Sequence, residues 1–424
     1  MLEKLCEFLN DGRTSYNATD KIADILNKED FIELDERKDF NIELGHNYYV
    51  KRNGSSIIAF KIPEKLDRQS FLMALSHSDC PSLKLKPNAI IKNGKYVRLN
   101  VEVYGGPILA SWLDRPLSMA GRVIIKREDG LQAINVDFKK PICIIPNVAI
   151  HMNPSINKGY DYNPQVDLLP LCKEDFDLNQ MIAEHLSINK EDVLNFDLFL
   201  YPLVEAMIWD DYISSHHLDD LSSSFTSLMA FLSAEDVHHI NLYACFDNEE
   251  VGSLTRQGAA SDFLNLILRK VSEELNFNYE RAIANSISLS CDNAHAAHPN
   301  HPEKADETNR PYMNAGIVIK HNANQSYTSD SLGSAIFTQI LDKAKVPYQY
   351  FTNRSDMRGG STLGNISNAQ VSLLSIDIGM AQLAMHSSYE TQGIKDIQYM
   401  IDGIKAFYEA EISFDGGHIQ IENK

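Results

Sequence analysis

The segment "CFDNEEVGS" (245–253) ends an apolar run on two adjacent glutamates, Glu249 and Glu250. Neighbouring like charges are costly to desolvate, so a buried pair of this kind calls for solvent or a bound cation. Other acids and imidazoles hold similar positions: His77 and Asp79 close "SFLMALSHSD", Asp219 lies in "SSHHLDDLSSS", Asp292 follows "SISLSC", and His386 sits in "AMHSS". Taken singly, a histidine after a strand is ordinarily a hydrogen-bonded structural residue, and an aspartate there a helix cap. Taken together, they supply two imidazoles and three carboxylates as ligands, with one further carboxylate and an orienting aspartate. Such a set suits two divalent metal ions, zinc foremost, about 3.5–4 Å apart and sharing a bridging aspartate. The spacing His77-x-Asp79 adds a carboxylate that can take the other imidazole proton and fix the tautomer. One glutamate of the pair would then bind metal while the other serves as general base.

These residues need strands that deliver them to one edge. Short apolar runs ending on a polar, chemically capable residue are the pattern by which open α/β sheets gather ligand sites at the carboxyl ends of their strands. The runs at 71–75, 240–246, 286–291 and 371–379 fit it. Between them lie helical spacings: Phe263, Leu264, Ile267, Leu268, Val271 and Leu275, then Ile394, Ile397, Ile401, Ile404 and Phe407. Alternating strands and helices predict an α/β sheet flanked by helices on both faces. Residues 87–201 differ, with "YVRLNVEVY", "RVIIKRE", "AINVDF" and "PICIIP" separated by turn residues, and read as an inserted β-rich domain between 1–86 and 202–424.

Composition narrows the partners. At 424 residues the chain exceeds most single cores, and 58 acids against 39 bases (net charge -19) argue against nucleic acid. No apolar run approaches the ~20 residues of a membrane helix. Cys6, Cys80, Cys143, Cys172, Cys245 and Cys291 are scattered singly, which suits a reducing cytoplasm. The signatures G-x-S-x-G, H-E-x-x-H, the Walker loop and G-x-G-x-x-G are all missing. The pairs His216–His217 and His238–His239 read as local polar residues, and Cys80 and Cys291 as packing.

Six segments in order, "SHSDCPSLKLKP", "SSHHLDDLSSS", "FDNEEVGS", "SCDNAHAAHPNH", "NRSDMRGGSTLG" and "DIGMAQLAMHSS", resemble the M18 aminopeptidases, the aspartyl aminopeptidase family of co-catalytic zinc exopeptidases. The resemblance implies that His77 and Asp292 bind one metal, Glu250 and His386 the other, and that Asp219 bridges. It makes Glu249 the general base and the Asp219–Asp220 peptide cis. It places His295 near the scissile carbonyl, sets Lys320 against an acidic substrate side chain, and sends His151 of "AIHMN" into the active site of a neighbouring subunit. It further implies dimers joined through the inserted domain and assembled into a dodecamer. The chain departs from the family pattern at Asp220, often Asn; at Arg358, usually Pro; at Pro154, often Arg; and at Asn17, commonly His.

The expected function is therefore a cytoplasmic two-metal aminopeptidase that removes N-terminal residues, preferably Asp or Glu, from peptides. Two alternatives stand beside it: a broad-specificity aminopeptidase of the same mechanism, and a non-catalytic scaffold of the same fold.

Overall fold

A computed structural model of the chain describes residues 1–235 and 238–422. Two compact units emerge, the first formed by Met1–Asp79, Ala206–Met385 and Glu390–Lys424, the second by Cys80–Glu205 and His386–Tyr389.

The first unit is built on a nine-stranded sheet in the order Ile32–Leu34, Asn47–Arg52, Ser56–Lys61, Ile240–Phe246, Phe71–His77, Ile287–Cys291, Leu374–Gly379, Ile317–Lys320 and Tyr348–Phe351. Its four central strands, from Ile240–Phe246 to Leu374–Gly379, run parallel. Phe246 pairs with His77, so the chain leaves both strands at the same edge. That common edge gathers the residues following the strands: Asp79, the glutamate pair and Asp292.

Alternation along the central strands divides the apolar side chains between two faces. Leu72, Ala74, Tyr243, Cys245 and Leu289 pack in one core with the helices Leu2–Asp11, Ser15–Lys28, Leu218–Ser233, Ser331–Ala344 and Ile394–Glu409. Met73, Leu75, Leu242 and Ala244 pack on the opposite face in a core that takes in the helix Phe263–Glu274. Helices therefore cover both faces, as the helical spacings predict, and Ile397, Ile401, Ile404 and Phe407 are all buried. A smaller five-stranded sheet, including Tyr212–Ser215, Glu390–Gly393, Ala381–Leu383 and Ala294–His295, lies in the same unit.

The second unit is an antiparallel sheet of seven strands. Val193–Pro202 pairs with both Ser82–Asn93 and Pro116–Arg127, closing the sheet on itself around a core that includes Trp112, Leu117, Met119 and Leu198. Ser82 already pairs with Tyr104, so this unit starts at Cys80 and takes in residues ahead of the 87–201 span read from turn spacing. The segment 386–389 belongs to it through the Ile108 N–H donated to His386 O (2.9 Å) and the Ser388 N–H donated to Ser111 Oγ (2.9 Å).

The central strands also carry a close backbone approach. A Cβ added at Gly379 would lie 2.0 Å from Asp292 O, a backbone atom that cannot step aside. Gly379→Ala should therefore lower the free energy of unfolding by about 1–3 kcal/mol, the usual cost of overpacking. Urea unfolding of the variant beside the wild type measures it, and an unchanged midpoint would contradict the close approach.

Candidate metal centre

His77 closes its strand at 1% exposure. Its backbone N–H donates to Asp220 Oδ2 (3.1 Å), and its ring Nδ1 lies 3.0 Å from Asp79 O and 3.5 Å from Asp79 Oδ1. A carbonyl oxygen only accepts, so Nδ1 carries the proton and the lone pair belongs to Nε2. Nε2 is 3.8 Å from Asp219 Oδ1. The orienting role read from the H-x-D spacing is thus performed mainly by the Asp79 backbone. The Asp79 carboxylate acts elsewhere, accepting the N–H of Glu249 (3.0 Å) and of Glu250 (3.2 Å). One residue fixes both the imidazole tautomer and the turn that presents the two glutamates.

Asp219 and Asp220 stand where the helix Leu218–Ser233 begins, after His217 at φ 66°, and both have non-helical backbone angles. The peptide joining them is cis, as the resemblance implies. Asp219 donates its N–H to Glu390 Oε2 (3.0 Å). Asn293 ties this turn to the end of the Ile287–Cys291 strand. Its Nδ2 donates to Leu218 O (2.8 Å) and Ser222 Oγ (2.9 Å), while its Oδ1 accepts from Ser223 Oγ (3.1 Å) and Gln392 Nε2 (3.1 Å). Neither Glu390 nor Asn293 stands out by spacing, although Asn293 lies within the "SCDNAH" motif. Each earns its place only once distant segments meet.

The resulting density of negative charge is high. Burial, followed by the charges of Asp292 and Asp219, pushes the Asp220 carboxyl well above its usual range. Burial and neighbouring carboxylates also raise Glu249 to about 8, Asp292 to about 6, and Glu250 well above an ordinary glutamate. For His77, burial opposes a charge, yet Asp220, Asp79 and Glu249 hold its pKa well above the usual imidazole range.

Within this unit two sets of donor atoms have every member within 4.8 Å of the others: His77, Asp219, Asp220 and Asp292, and His77, Glu249 and Glu250. Asp220 Oδ1 is buried with no hydrogen-bond partner among the described residues. Imidazole and carboxylate oxygens are donors that zinc accepts, and a divalent cation relieves the repulsion that raises these pKa values. The residues fit zinc.

The remaining expected residues are placed as follows. Lys320 is 1% exposed, and its Nζ donates to Asp292 O (2.7 Å) and Asn293 O (3.2 Å) and lies 3.6 Å from Asp292 Oδ2. His295 is exposed on the short strand Ala294–His295, with its ring 6.2 Å from that of Phe351. His386, at φ 67°, lies in the second unit with Nδ1 3.1 Å from Gly106 O. His151 is exposed on a turn of that unit. His217 and His239 have local partners, Gly12 O (3.2 Å) for the first, Ser70 Oγ (2.7 Å) and the Ile412 N–H (3.1 Å) for the second. All six cysteines are free, and Cys80 and Cys291 are buried.

A sheet edge bearing imidazole, aspartates and paired glutamates has the donor set of a zinc centre. The family model described as Aminopeptidase I zinc metalloprotease (M18) matches residues 8–408. A probable M18 family aminopeptidase 2 from Clostridium novyi (strain NT) is 43% identical over 422 residues, spanning 96% of this chain and 98% of that protein. A chain of the cryo-EM structure of the Ape4 and Nbr1 complex superposes with a TM-score of 0.93 at 32% identity, over 96% of this chain and 84% of that one. The S. cerevisiae mApe1 dodecamer gives a TM-score of 0.83 at 25% identity, over 96% and 95%. The chain belongs to the M18 family of zinc metalloproteases and is a metallo-aminopeptidase.

Two outcomes follow from the geometry. Asp79→Asn replaces an acceptor of two N–H groups with a half-donor, so it should weaken zinc binding or turnover by roughly 10- to 100-fold, the usual penalty for residues that orient ligands. Metal titration and steady-state rates on the variant check this. The second outcome concerns pH. Glu249 keeps its proton to about 8 in the folded, metal-free chain against 4.5 ordinarily, so across that window the unfolded chain binds fewer protons than the folded one. The stability of chelated protein should therefore fall as pH rises from about 4.5 to about 8. Zinc should flatten that slope, as urea midpoints at several pH values with and without chelator would show.

Proposed function

We propose that this enzyme removes N-terminal residues, preferably Asp or Glu, from peptides by a two-metal mechanism. In this reading His77 and Asp292 would hold one zinc and Glu250 and His386 the other, with Asp219 shared between them. The convergence of His77, Asp219 and Asp292 beside the glutamate pair carries the reading. Bound zinc supplies Lewis-acid polarisation of the scissile carbonyl and lowers the pKa of the attacking water. Glu249 accepts a proton from that water and can return it to the departing amine. Asp79 holds the Glu249 backbone so that the carboxylate stays aimed, and His295 donates to the carbonyl oxygen as charge develops there.

The assembly belongs to the same reading. The inserted β-rich domain joins two copies, dimers build a dodecamer, and His151 reaches the site of a neighbouring copy. The dodecamer of the S. cerevisiae relative supports this, as does the exposure of Val148, Ile150 and Met152 around His151. Six free cysteines suit a cytoplasmic setting. No helix among the described residues is long and apolar enough to cross a membrane.

Glu249→Gln keeps the shape of the side chain and removes the base. It should retain zinc and lower kcat by roughly 10²–10⁴. Zinc content and steady-state rates on aminoacyl p-nitroanilides test it together; near-normal turnover in a zinc-loaded variant would assign the base elsewhere.

A further inference from the structure

The second unit holds a pair of sulfurs that the metal chemistry does not use. Strand Cys143–Ile144 lies antiparallel to Leu171–Cys172, with Ile144 opposite Leu171. That register sets Cys143 opposite Cys172. Residues opposed in this way have Cα atoms about 4.5–5.5 Å apart, inside the roughly 4.4–6.8 Å span of disulfides. Opposed side chains share a face of the sheet, and both cysteines belong to one apolar core, beside Leu117 and Val97. Both are free thiols. They also touch: Cys143 donates a hydrogen bond to Cys172, and that bond, followed by burial, holds the Cys143 pKa well above the usual thiol range.

No other two cysteines are so placed among the described residues. Cys245 and Cys291 stand on strands separated by Phe71–His77, Cys6 is in the helix Leu2–Asp11, and Cys80 lies between strands. The position of the pair gives it a task. No residue from 146 to 167 is buried, and this stretch, which includes His151, leaves the sheet at Cys143–Ile144 and returns at Leu171–Cys172. Those two strands have two residues each, the shortest in the seven-stranded sheet. A short ladder opens more readily than a long one, so a covalent bond placed there adds most, by holding the two ends of the loop together.

We infer that Cys143 and Cys172 form a reversible disulfide under oxidising conditions, clipping shut the base of the 146–167 segment in the second unit. Hydrogen peroxide supplies the oxidising equivalents. The Cys172 thiolate attacks one peroxide oxygen, the O–O bond breaks, and the sulfur becomes a sulfenic acid while the departing hydroxide takes up the thiol proton as water. The Cys143 sulfur then displaces the hydroxyl group: the S–S bond forms, the S–O bond breaks, and the Cys143 proton leaves with the hydroxide as a second water. Two thiols are oxidised to one disulfide and the peroxide is reduced to two waters. A dithiol reductant reverses the step by thiol–disulfide exchange, and in a reducing compartment the pair rests as thiols. The proposed zinc ligands include no cysteine, so the outcome bears on neither the metals nor the acidic preference.

In the test, zinc-loaded, full-length enzyme is exposed to hydrogen peroxide, blocked with N-ethylmaleimide, digested without reductant and mapped by mass spectrometry. The expected product is one peptide pair joined through Cys143 and Cys172, lost after dithiothreitol and missing from Cys143→Ser and from Cys172→Ser. Hydrogen exchange at the amides of Ile144 and Leu171 should slow by roughly 10-fold or more in the oxidised protein and recover on reduction. Full alkylation of Cys143 and Cys172 after peroxide overturns the disulfide, as does sulfinic or sulfonic acid at either one without a bridge. A bridge that forms only in urea overturns it too, because the folded register would then not be what brings the sulfurs together. A bridge that leaves the exchange unchanged overturns the clip.

Discussion

Crowded negative charge is the constraint on which the first unit depends. Asp219, Asp220, Glu249, Glu250 and Asp292 gather around one imidazole at the end of a sheet, where the surrounding protein keeps water from screening them. Carboxylates this close cannot all be ionised unless positive charge lies among them, and the raised pKa values of Asp220, Glu249, Glu250 and Asp292 express that repulsion. Lys320 offsets part of it beside Asp292. Divalent cations offset the rest, which is why a sequence would keep so unfavourable a set together. The arrangement costs stability without metal and gains it with metal, so folding and zinc binding are linked.

The scaffold answers the same constraint with rigidity. Parallel strands bring His77, the glutamate turn and Asp292 to one edge, and hydrogen bonds from outside the donor set then lock each of them. Asp79 holds an imidazole nitrogen and two backbone N–H groups, Asn293 uses both ends of its amide, and Glu390 takes the N–H of Asp219. Repelling groups would otherwise splay apart. Preorganised second contacts of this kind let a metal bind without first paying to order its ligands.

His77, the glutamate pair and Asp292 were legible in the sequence because each ends or closely follows an apolar run, and a strand that leads into such a residue carries its own signal in the spacing. The helices were legible too, since Ile397, Ile401, Ile404 and Phe407 state their buried face directly. Residues that act through contacts between distant segments were not. Asn293 and Glu390 look like ordinary polar residues until the segments around 218, 293 and 390 meet, and no local pattern records that meeting. The H-x-D spacing pointed to Asp79 as a partner of the imidazole, but its larger task, holding the glutamate turn, depends on where a loop 170 residues later returns. Turn spacing likewise left residues 82–86 outside the inserted domain, whereas Leu83 and Lys84 pair with Leu200 and Phe199 in its closed sheet, a tertiary fact. For Lys320 the resemblance supplied a role, while the surrounding carbonyls and Asp292 show where its donors go.

The central claim is that this acidic cluster is a centre for two metals, and anomalous diffraction from zinc-reconstituted crystals, collected on both sides of the zinc edge, tests it most directly. The account predicts two peaks about 3.5–4 Å apart, one beside His77 and Asp292, the other beside Glu250, with Asp219 between them. Zinc bound elsewhere, or no peak near Asp219 in crystals of protein that hydrolyses peptides, would contradict it.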